Sequence, residues 1–350
     1  MSDPTTPTRD GAEDLVRRTL AVRAEDMAPG DPAGAPPDLD RVGPIAPGRL
    51  GRSRRSVLLA AAVVVVAAAT AGVALAARVG DGEAGRLTTV AEQPPSGGAQ
   101  VAAITAPRAL VDALRVERNV AVTTLLGLEG AIALPVSGTT QARSDTDAVL
   151  ATFEAFVATS AAGSAYQSGL DGLDGLDGLR RDIDSYTGPG SLNDLDIAQD
   201  VSDRYAGLVA GVLDDQQAYA LTIDDPVVRT GAVAYGEGLR LGEQTTQLVQ
   251  ASLLAVVVPG PESFAEAARL HAEVQGTLDT LVAVTAGTPF AGATTTLVDE
   301  VEQTGLIEAA ERAIEGAGDV TVLLGTVDLQ QGQGWPAFLD SVEEILVAES

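Results

Sequence analysis

Residues Arg108–Gly127 read RALVDALRVERNVAVTTLLG, and this stretch decides the fold class. Apolar residues recur along it and just beyond it at intervals of three, four and seven: Leu110, Leu114, Ala121, Leu125 and Leu128. Such spacing is typical of an α-helix with one buried face. Pro107 directly precedes the stretch and suits the first turn of a helix. We therefore predict a helix here that packs against other helices.

Six further segments show the same periodicity or clear helix-start signals. They are Thr139–Ala161, Asp194–Ala220, Asp225–Val257, Pro261–Ala286, Ala293–Gly316 and Pro336–Glu349. Convincing alternating strand patterns are missing, and Thr321–Val327, which could form a short strand, fits a helix better. We predict an all-α, up-and-down helical bundle domain over residues 105–350. Its expected form is two stacked four-helix bundles that share the long helix Asp225–Val257.

The reactive side chains exclude many enzyme classes. The chain has no lysine and no cysteine, and His271 is its one histidine. Walker A loops, Schiff-base enzymes and Ser-x-x-Lys acyl enzymes need lysine, whereas thiol nucleophiles and zinc–thiolate sites need cysteine. We therefore predict that the protein is not an enzyme and holds no cofactor or metal ion.

Charge is distributed unevenly along the chain. Residues 1–55 carry nine arginines and nine acidic residues, whereas residues 79–350 carry twelve arginines and forty acidic residues, a net charge of −28. A strongly negative domain repels nucleic acids and anionic lipid headgroups. We expect no nucleic-acid partner, and attribute the acidity mainly to solubility in a lysine-poor, high-GC organism.

An apolar run near the N-terminus predicts a membrane anchor. Ser56–Ala77 is 22 residues long and carries no charge, and about 20 apolar residues cross a bilayer as a helix. Four arginines precede the run: Arg49, Arg52, Arg54 and Arg55. The positive-inside rule then places the N-terminus in the cytoplasm. The expected organisation is a disordered cytoplasmic tail (1–55), a lipid-embedded single-pass anchor (56–77), a linker (78–104) and an extracytoplasmic domain (105–350).

A different interpretation of the same region is export with cleavage. Residues 53–58 (SRRSVL) resemble a twin-arginine signal, and Ala74–Ala76 resembles a signal-peptidase site. Cleavage after Ala76 would release a soluble domain. The apolar run is longer than a usual signal core of about 7–15 residues, so we favour the uncleaved anchor.

A low-complexity segment invites a calcium hypothesis. Gly169–Gly178 repeats Leu-Asp-Gly three times, which places Asp171, Asp174 and Asp177 three positions apart. An EF-hand loop sets its ligands two positions apart and ends in a glutamate. We therefore predict a loop between helices and no calcium site.

Three small residues on the long helix resemble a phosphate-binding loop only superficially. Gly236, Gly238 and Gly242 follow no strand and lie within a helical pattern. We interpret them as positions where another helix packs closely.

Arg118 is the most informative residue of the first helix. At about 100° per residue, with Leu110 at 0° and Leu114 at 40°, Arg118 falls at 80°, inside the apolar face. Arg115 falls at 140°, on its flank. A buried guanidinium needs either a carboxylate partner or an anionic ligand. The helical geometry alone leaves both explanations open.

Several short motifs resemble the nitrate- and nitrite-sensing domain family. The first helix of that family has the form Leu-x-x-x-Leu-x-x-Glu-Arg followed by small residues and Leu, which Arg108–Gly127 resembles. Other similar stretches are Arg143–Asp147, Leu179–Asp184 with Tyr205, and the Trp335-Pro336 entry into the last helix. The resemblance spans roughly residues 107–350.

The resemblance implies an all-helical, two-bundle sensor domain outside the membrane of bacterial receptors, with arginines that bind nitrate or nitrite between helices. Arg118 matches the Glu-Arg motif, Arg143 matches the arginine of the second helix, and Arg115 lies beside Arg118. A further arginine often expected on the long later helix corresponds to Gln247 or a neighbour here. That departure puts anion binding in question.

The sequence thus favours a membrane-anchored, extracytoplasmic ligand-sensing module for a small oxyanion such as nitrate or nitrite. We expect no output domain in this chain, so a signal would pass to a separate signalling protein; a homodimer is left open. The alternative is an envelope interaction or scaffold protein that uses the same bundle without a ligand. The two differ in whether Arg118 faces a solvent-filled pocket or a paired carboxylate.

Overall fold

The structure is a computed structural model that describes residues 96–125, 138–186, 195–257, 259–318, 323 and 334–350. Every regular element in these ranges is helical, which confirms the all-α prediction for the described part of the chain. The α-helices are α1 (Ser96–Thr105), α2 (Pro107–Leu125), α3 (Gly138–Thr159), α4 (Gln167–Gly172), α5 (Leu176–Tyr186), α6 (Leu195–Leu221), α7 (Pro226–Val257), α8 (Pro261–Thr285), α9 (Ala291–Gln303), α10 (Leu306–Ile314) and α11 (Gly334–Glu349).

Prolines and one capping aspartate fix where helices begin. Helices α2, α7 and α8 begin at Pro107, Pro226 and Pro261, because proline lacks the N–H that a first turn leaves unpaired. Asp225 caps α7: its Oδ1 accepts hydrogen bonds from the backbone N–H of Val227 (2.8 Å) and Val228 (3.0 Å). These helix starts were predicted from the sequence.

The long helix α7 is the centre of the packing. It contacts α1, α2 and α6, which precede it in the chain, and α8, α10 and α11, which follow it. Helix α2 in turn packs against α3, α5 and α6. Helix α7 therefore connects N-terminal and C-terminal helices, as expected of a shared helix. The division into two stacked four-helix bundles stays a prediction.

Small residues on α7 allow this close packing. A Cβ atom on Gly236 would lie 1.9 Å from Gln216 Oε1, and one on Gly238 would lie 2.6 Å from the Phe338 ring. A Cβ on Gly242 would lie 3.1 Å from the Trp335 ring. The interpretation of these glycines as helix-packing positions is confirmed.

One predicted helix is two helices. Instead of a continuous helix over Ala293–Gly316, the chain breaks after α9 at Thr304-Gly305 and resumes as α10. Gly305 has φ +66°, a left-handed conformation that glycine adopts without steric cost. The buried apolar positions Val301 and Leu306 are five residues apart across this break, a departure from the helical spacing of three or four that the sequence prediction overlooked.

The Leu-Asp-Gly repeat is helical, so the prediction of a loop there is wrong. It lies in α4, a 3₁₀ turn over Leu173–Gly175 and α5. A three-residue period matches the three residues per turn of a 3₁₀ helix. Leu173, Leu176 and Leu179 are accordingly buried, while the three aspartates of the repeat stay exposed.

The predicted linker, residues 78–104, also needs correction at its end. Residues 96–104 belong to helix α1, which packs against α11, α7 and α6. Val101, Ala103 and Ile104 are buried there, and their burial stabilises a helix despite Gly97 and Gly98.

Several N-terminal predictions lie outside the described residues: the tail (1–55), the anchor (56–77) and residues 78–95 of the linker. Most of Thr321–Val327 lies outside them too. Among the residues that the structure describes, no helix has both the length and the apolar character needed to cross a membrane.

Candidate functional site

Arg118 lies inside the apolar face of α2, as the helical geometry predicted. Its side chain is fully buried, as are those of Leu110 and Leu114 on the same face. The next residue back, Glu117, is equally inaccessible but points about 100° away around the helix. Adjacent charged residues of α2 therefore reach different neighbouring helices.

Arg118 and Arg115 meet on one carboxylate of α7, Glu243. Arg118 Nη1 donates a hydrogen bond to Glu243 Oε1, and Arg115 Nε donates to Glu243 Oε2 at 3.0 Å. Arg115 also bonds Asp112 Oδ1 (3.0 Å) and the carbonyl oxygen of Leu239 (2.5 Å). We call Arg115, Arg118 and Glu243 the α2–α7 cluster.

The α2–α7 cluster keeps Glu243 ionised. Burial alone would raise the pKa of this carboxyl, but the charges of Arg118 and Arg115 outweigh it and lower the pKa from 4.5 to about 2. Gln247, one turn further along α7, also donates a hydrogen bond to Glu243 Oε1 at 2.7 Å. Two buried cations thus share one buried anion.

One edge of the Arg118 guanidinium has no acceptor among the described residues. Nη1 is bonded to Glu243, whereas Nε and Nη2 are buried without a hydrogen-bond partner in that part of the structure. Nε–H and Nη2–H form the side edge of the guanidinium and point in parallel. Buried donors without acceptors cost free energy, so this edge is suited to an acceptor with two oxygens.

Arg143, the third predicted site residue, lies in another cluster. Its Nη2 donates to Asp184 Oδ1 at 2.8 Å and to the carbonyl oxygen of Arg180 at 3.4 Å. The structure therefore brings Arg115 and Arg118 together on Glu243, and places Arg143 with α5. The hydrogen bonds of Arg143 go to Asp184 and to the Arg180 carbonyl, and not to the residues that Arg115 and Arg118 bind.

Beside Arg143 lies a second buried arginine with a complete set of partners. Arg180 of α5 donates from Nε and Nη2 to both oxygens of Glu117, at 2.7 and 2.8 Å, and from Nη1 to Asp147 at 2.6 Å. The Tyr205 hydroxyl donates to Glu117 Oε1 at 2.8 Å. Burial, followed by the charge of Glu117, raises the pKa of Tyr205, so this phenol stays protonated. We call Glu117, Arg180, Asp147 and Tyr205 the α2–α5 cluster.

Sequence reasoning did not single out Glu243, Glu117 or Arg180. The helical geometry that identified Arg118 offered a signal for the first two. Glu243 falls 40° from Leu239 on the buried face of α7, and Glu117 falls 20° from Leu110 on that of α2. Which acid meets which arginine depends on helix register, which no local pattern specifies.

A small polar cavity lies near the cluster, between α6, α7 and α8. Its volume is about 20 Å³, enough for one water molecule. Its lining residues include Gln247, Gln250, Asp203 and Glu266. Gln247 therefore contacts both this cavity and Glu243.

Comparison with known proteins supports the resemblance found in the sequence. The sequence model of a family described as nitrate and nitrite sensing matches residues 109–340. The solved structure of the NasR transcription antiterminator is similar with a TM-score of 0.50 and 18% identity, over 72% of this chain and 70% of that one. At this identity the likeness concerns the fold alone.

No curated protein matches the sequence. The family model nevertheless covers more than half of the chain, including α2 with the Glu117-Arg118 pair and α7 with Glu243. This chain therefore belongs to the nitrate and nitrite sensing family.

Proposed function

We propose that this chain is a membrane-anchored, extracytoplasmic sensing module that binds nitrate or nitrite at Arg118. One observation carries the proposal: the Nε–Nη2 edge of a fully buried guanidinium has no partner among the described residues. A small planar oxyanion presents two oxygens in the plane and at the spacing that this edge recognises. Membership of the family supports the choice of anion.

The charges of the α2–α7 cluster also favour an added anion. Arg115 and Arg118 are buried, and both bond to the single carboxylate of Glu243. The other carboxylate on Arg115, Asp112, is partly exposed, at 21% of its side chain. An oxyanion at Arg118 would balance a buried cation that Glu243 neutralises only in part.

The alternative function, an interaction or scaffold protein without a ligand, rests on a different observation. Arg118 does meet a paired carboxylate, Glu243, which is the arrangement expected of a structural ion pair. Under this alternative, nitrate has no effect on the folded state. The two functions are therefore separable by ligand-dependent stability.

Thermal unfolding of the full-length chain in nitrate, nitrite or chloride tests the proposal. A ligand that binds only the folded state stabilises it by about 2.7 kcal/mol at a hundred times its Kd. We expect Tm to rise with millimolar nitrate or nitrite relative to chloride at equal ionic strength, and Arg118→Ala to abolish that rise. Equal Tm values in all three salts would favour the scaffold alternative.

Arg180→Ala is the matched control for Arg118→Ala. Arg180 is also a buried, ion-paired arginine facing α2, but its side chain bonds to Glu117 and Asp147, and not to Arg118 or Glu243. We expect Arg180→Ala to lower Tm in every salt and to keep the nitrate-specific rise. Loss of the rise in both variants would show a general effect of destabilisation.

The membrane part of the proposal rests on the uncharged run Ser56–Ala77 and the four arginines before it. Tags at the two ends of the chain test it in intact cells. External protease should remove the C-terminal tag and leave the N-terminal one. A protected C-terminal tag would contradict the orientation, and a domain released into the medium would indicate cleavage.

A further inference from the structure

Glu243 bonds to Nη1 of Arg118, beside the Nε–Nη2 edge that has no partner among the described residues, which we call the open edge. We propose that Glu243 acts as a built-in competitor of the anionic ligand. Its carboxylate occupies Nη1 of Arg118 and Nε of Arg115 at once. It thereby neutralises part of the positive charge that would attract an incoming anion. The Kd for that anion is therefore raised, and the site fills only at a high ligand concentration. This inference rests on the proposed function, because it concerns regulation of the same site.

Three contacts hold the competitor in place. The two arginines of α2 bind its two oxygens, and Gln247 donates to Oε1 from one turn further along α7. Glu243 itself is buried, with 7% of its side chain exposed, so solvent screens its charge weakly. An anion at the open edge of Arg118 therefore enters the field of a fixed negative charge bonded to the same guanidinium.

Neutralising this carboxylate should tighten binding. In Glu243→Gln the side chain keeps its size and an oxygen acceptor, but the like charge beside the anion is gone. We expect the Kd of the full-length chain for nitrate, measured by calorimetric titration in chloride buffer, to fall at least tenfold. Glu237→Gln is the matched control, because Glu237 is a buried carboxylate of α7 that contacts Gln217 and Arg240. The Kd of this variant for nitrate should equal that of the unmodified chain.

A second variant covers the case in which Glu243→Gln does not fold. Gln247→Arg keeps Glu243 charged but supplies a new cation four residues along the same helix, where i,i+4 pairs interact. The cavity that Gln247 lines also carries Asp203 and Glu266, which favour a cation at this position. With Glu243 shared by a third guanidinium, Arg118 is released in part, and nitrate should again bind more tightly.

The outcomes separate the two hypotheses. A lower Kd in Glu243→Gln or Gln247→Arg, with Glu237→Gln unchanged, supports the competitor. Equal affinity in the unmodified chain and in both variants overturns the competitor and leaves nitrate binding intact. Absence of binding in the unmodified chain and in every variant overturns the proposed function together with this inference.

Discussion

Two arginine clusters involve helix α2 on faces about 100° apart, and they differ in how completely their arginines are paired. In the α2–α5 cluster all three nitrogen atoms of Arg180 donate to carboxylates of Glu117 and Asp147. In the α2–α7 cluster, Arg118 is more deeply buried than Arg180, yet only its Nη1 donates a hydrogen bond, to Glu243. Its other two nitrogens have no partner among the described residues.

The proposed ligand role of Arg118 depends on this difference. Both residues are buried, both face an acid on another helix, and both lie within the family match. Burial and ion pairing therefore do not distinguish them. The unused donors do, because a buried N–H without an acceptor costs free energy that a ligand recovers.

The largest expected effect concerns the fully paired cluster. Glu117→Ala leaves Arg180 and the Tyr205 hydroxyl without their shared acceptor. Removing one partner of a buried ion pair typically costs about 3–5 kcal/mol. We expect the free energy of unfolding, from urea denaturation, to fall by that amount equally in nitrate and chloride. A loss that nitrate reverses would break the distinction between the clusters.

The next effect is acid sensitivity of the α2–α7 cluster. The folded-state pKa of Glu243, about 2, lies below its ordinary value of 4.5. Ionised Glu243 therefore contributes up to about 3 kcal/mol to the free energy of unfolding. This contribution is present above pH 4.5 and is lost as the pH falls toward 2.

Urea denaturation between pH 6 and pH 2.5 checks this prediction. The difference in the free energy of unfolding between the unmodified chain and Glu243→Gln should shrink as the pH falls. Other carboxylates titrate in both proteins, so only that difference isolates Glu243. A difference that stays constant with pH would contradict the ionised state of Glu243.

The smallest effect provides the surface reference for both clusters. Arg269 of α8 pairs with Glu266 and Glu273 at 2.6 and 2.5 Å, but half of its side chain is exposed. Exposed pairs contribute about 0–1 kcal/mol, so Arg269→Ala should change the free energy of unfolding by no more than that. A loss as large as that of Glu117→Ala would mean that burial does not determine the strength of these pairs.

The sequence predicted local features better than pairing across helices. Pro107 and Pro226 mark real helix starts, and Arg118 lies on the face that a 100° rotation per residue assigns to it. These features depend on a few consecutive turns of one helix. The break at Gly305 depends on a left-handed φ at one residue, and the only local sign of it, the five-residue step from Val301 to Leu306, was overlooked.

The candidate site was predicted in part for the same reason. Arg115 and Arg118 share a face of α2 and were identified together. Glu243 lies 125 positions away from Arg118 in the chain, and helix register alone brings it there. Arg143 donates hydrogen bonds to Asp184 and to the Arg180 carbonyl of α5. These contacts depend on how α3 and α5 pack.

The most direct test of the account is a crystal structure of the full-length chain grown in saturating nitrate, compared with crystals grown in chloride. We predict a planar anion with two oxygens about 2.7–2.9 Å from Nε and Nη2 of Arg118. Chloride crystals should lack this planar density. If nitrate crystals show only water at that edge and are otherwise identical to chloride crystals, Arg118 is a structural arginine and the proposed function is wrong.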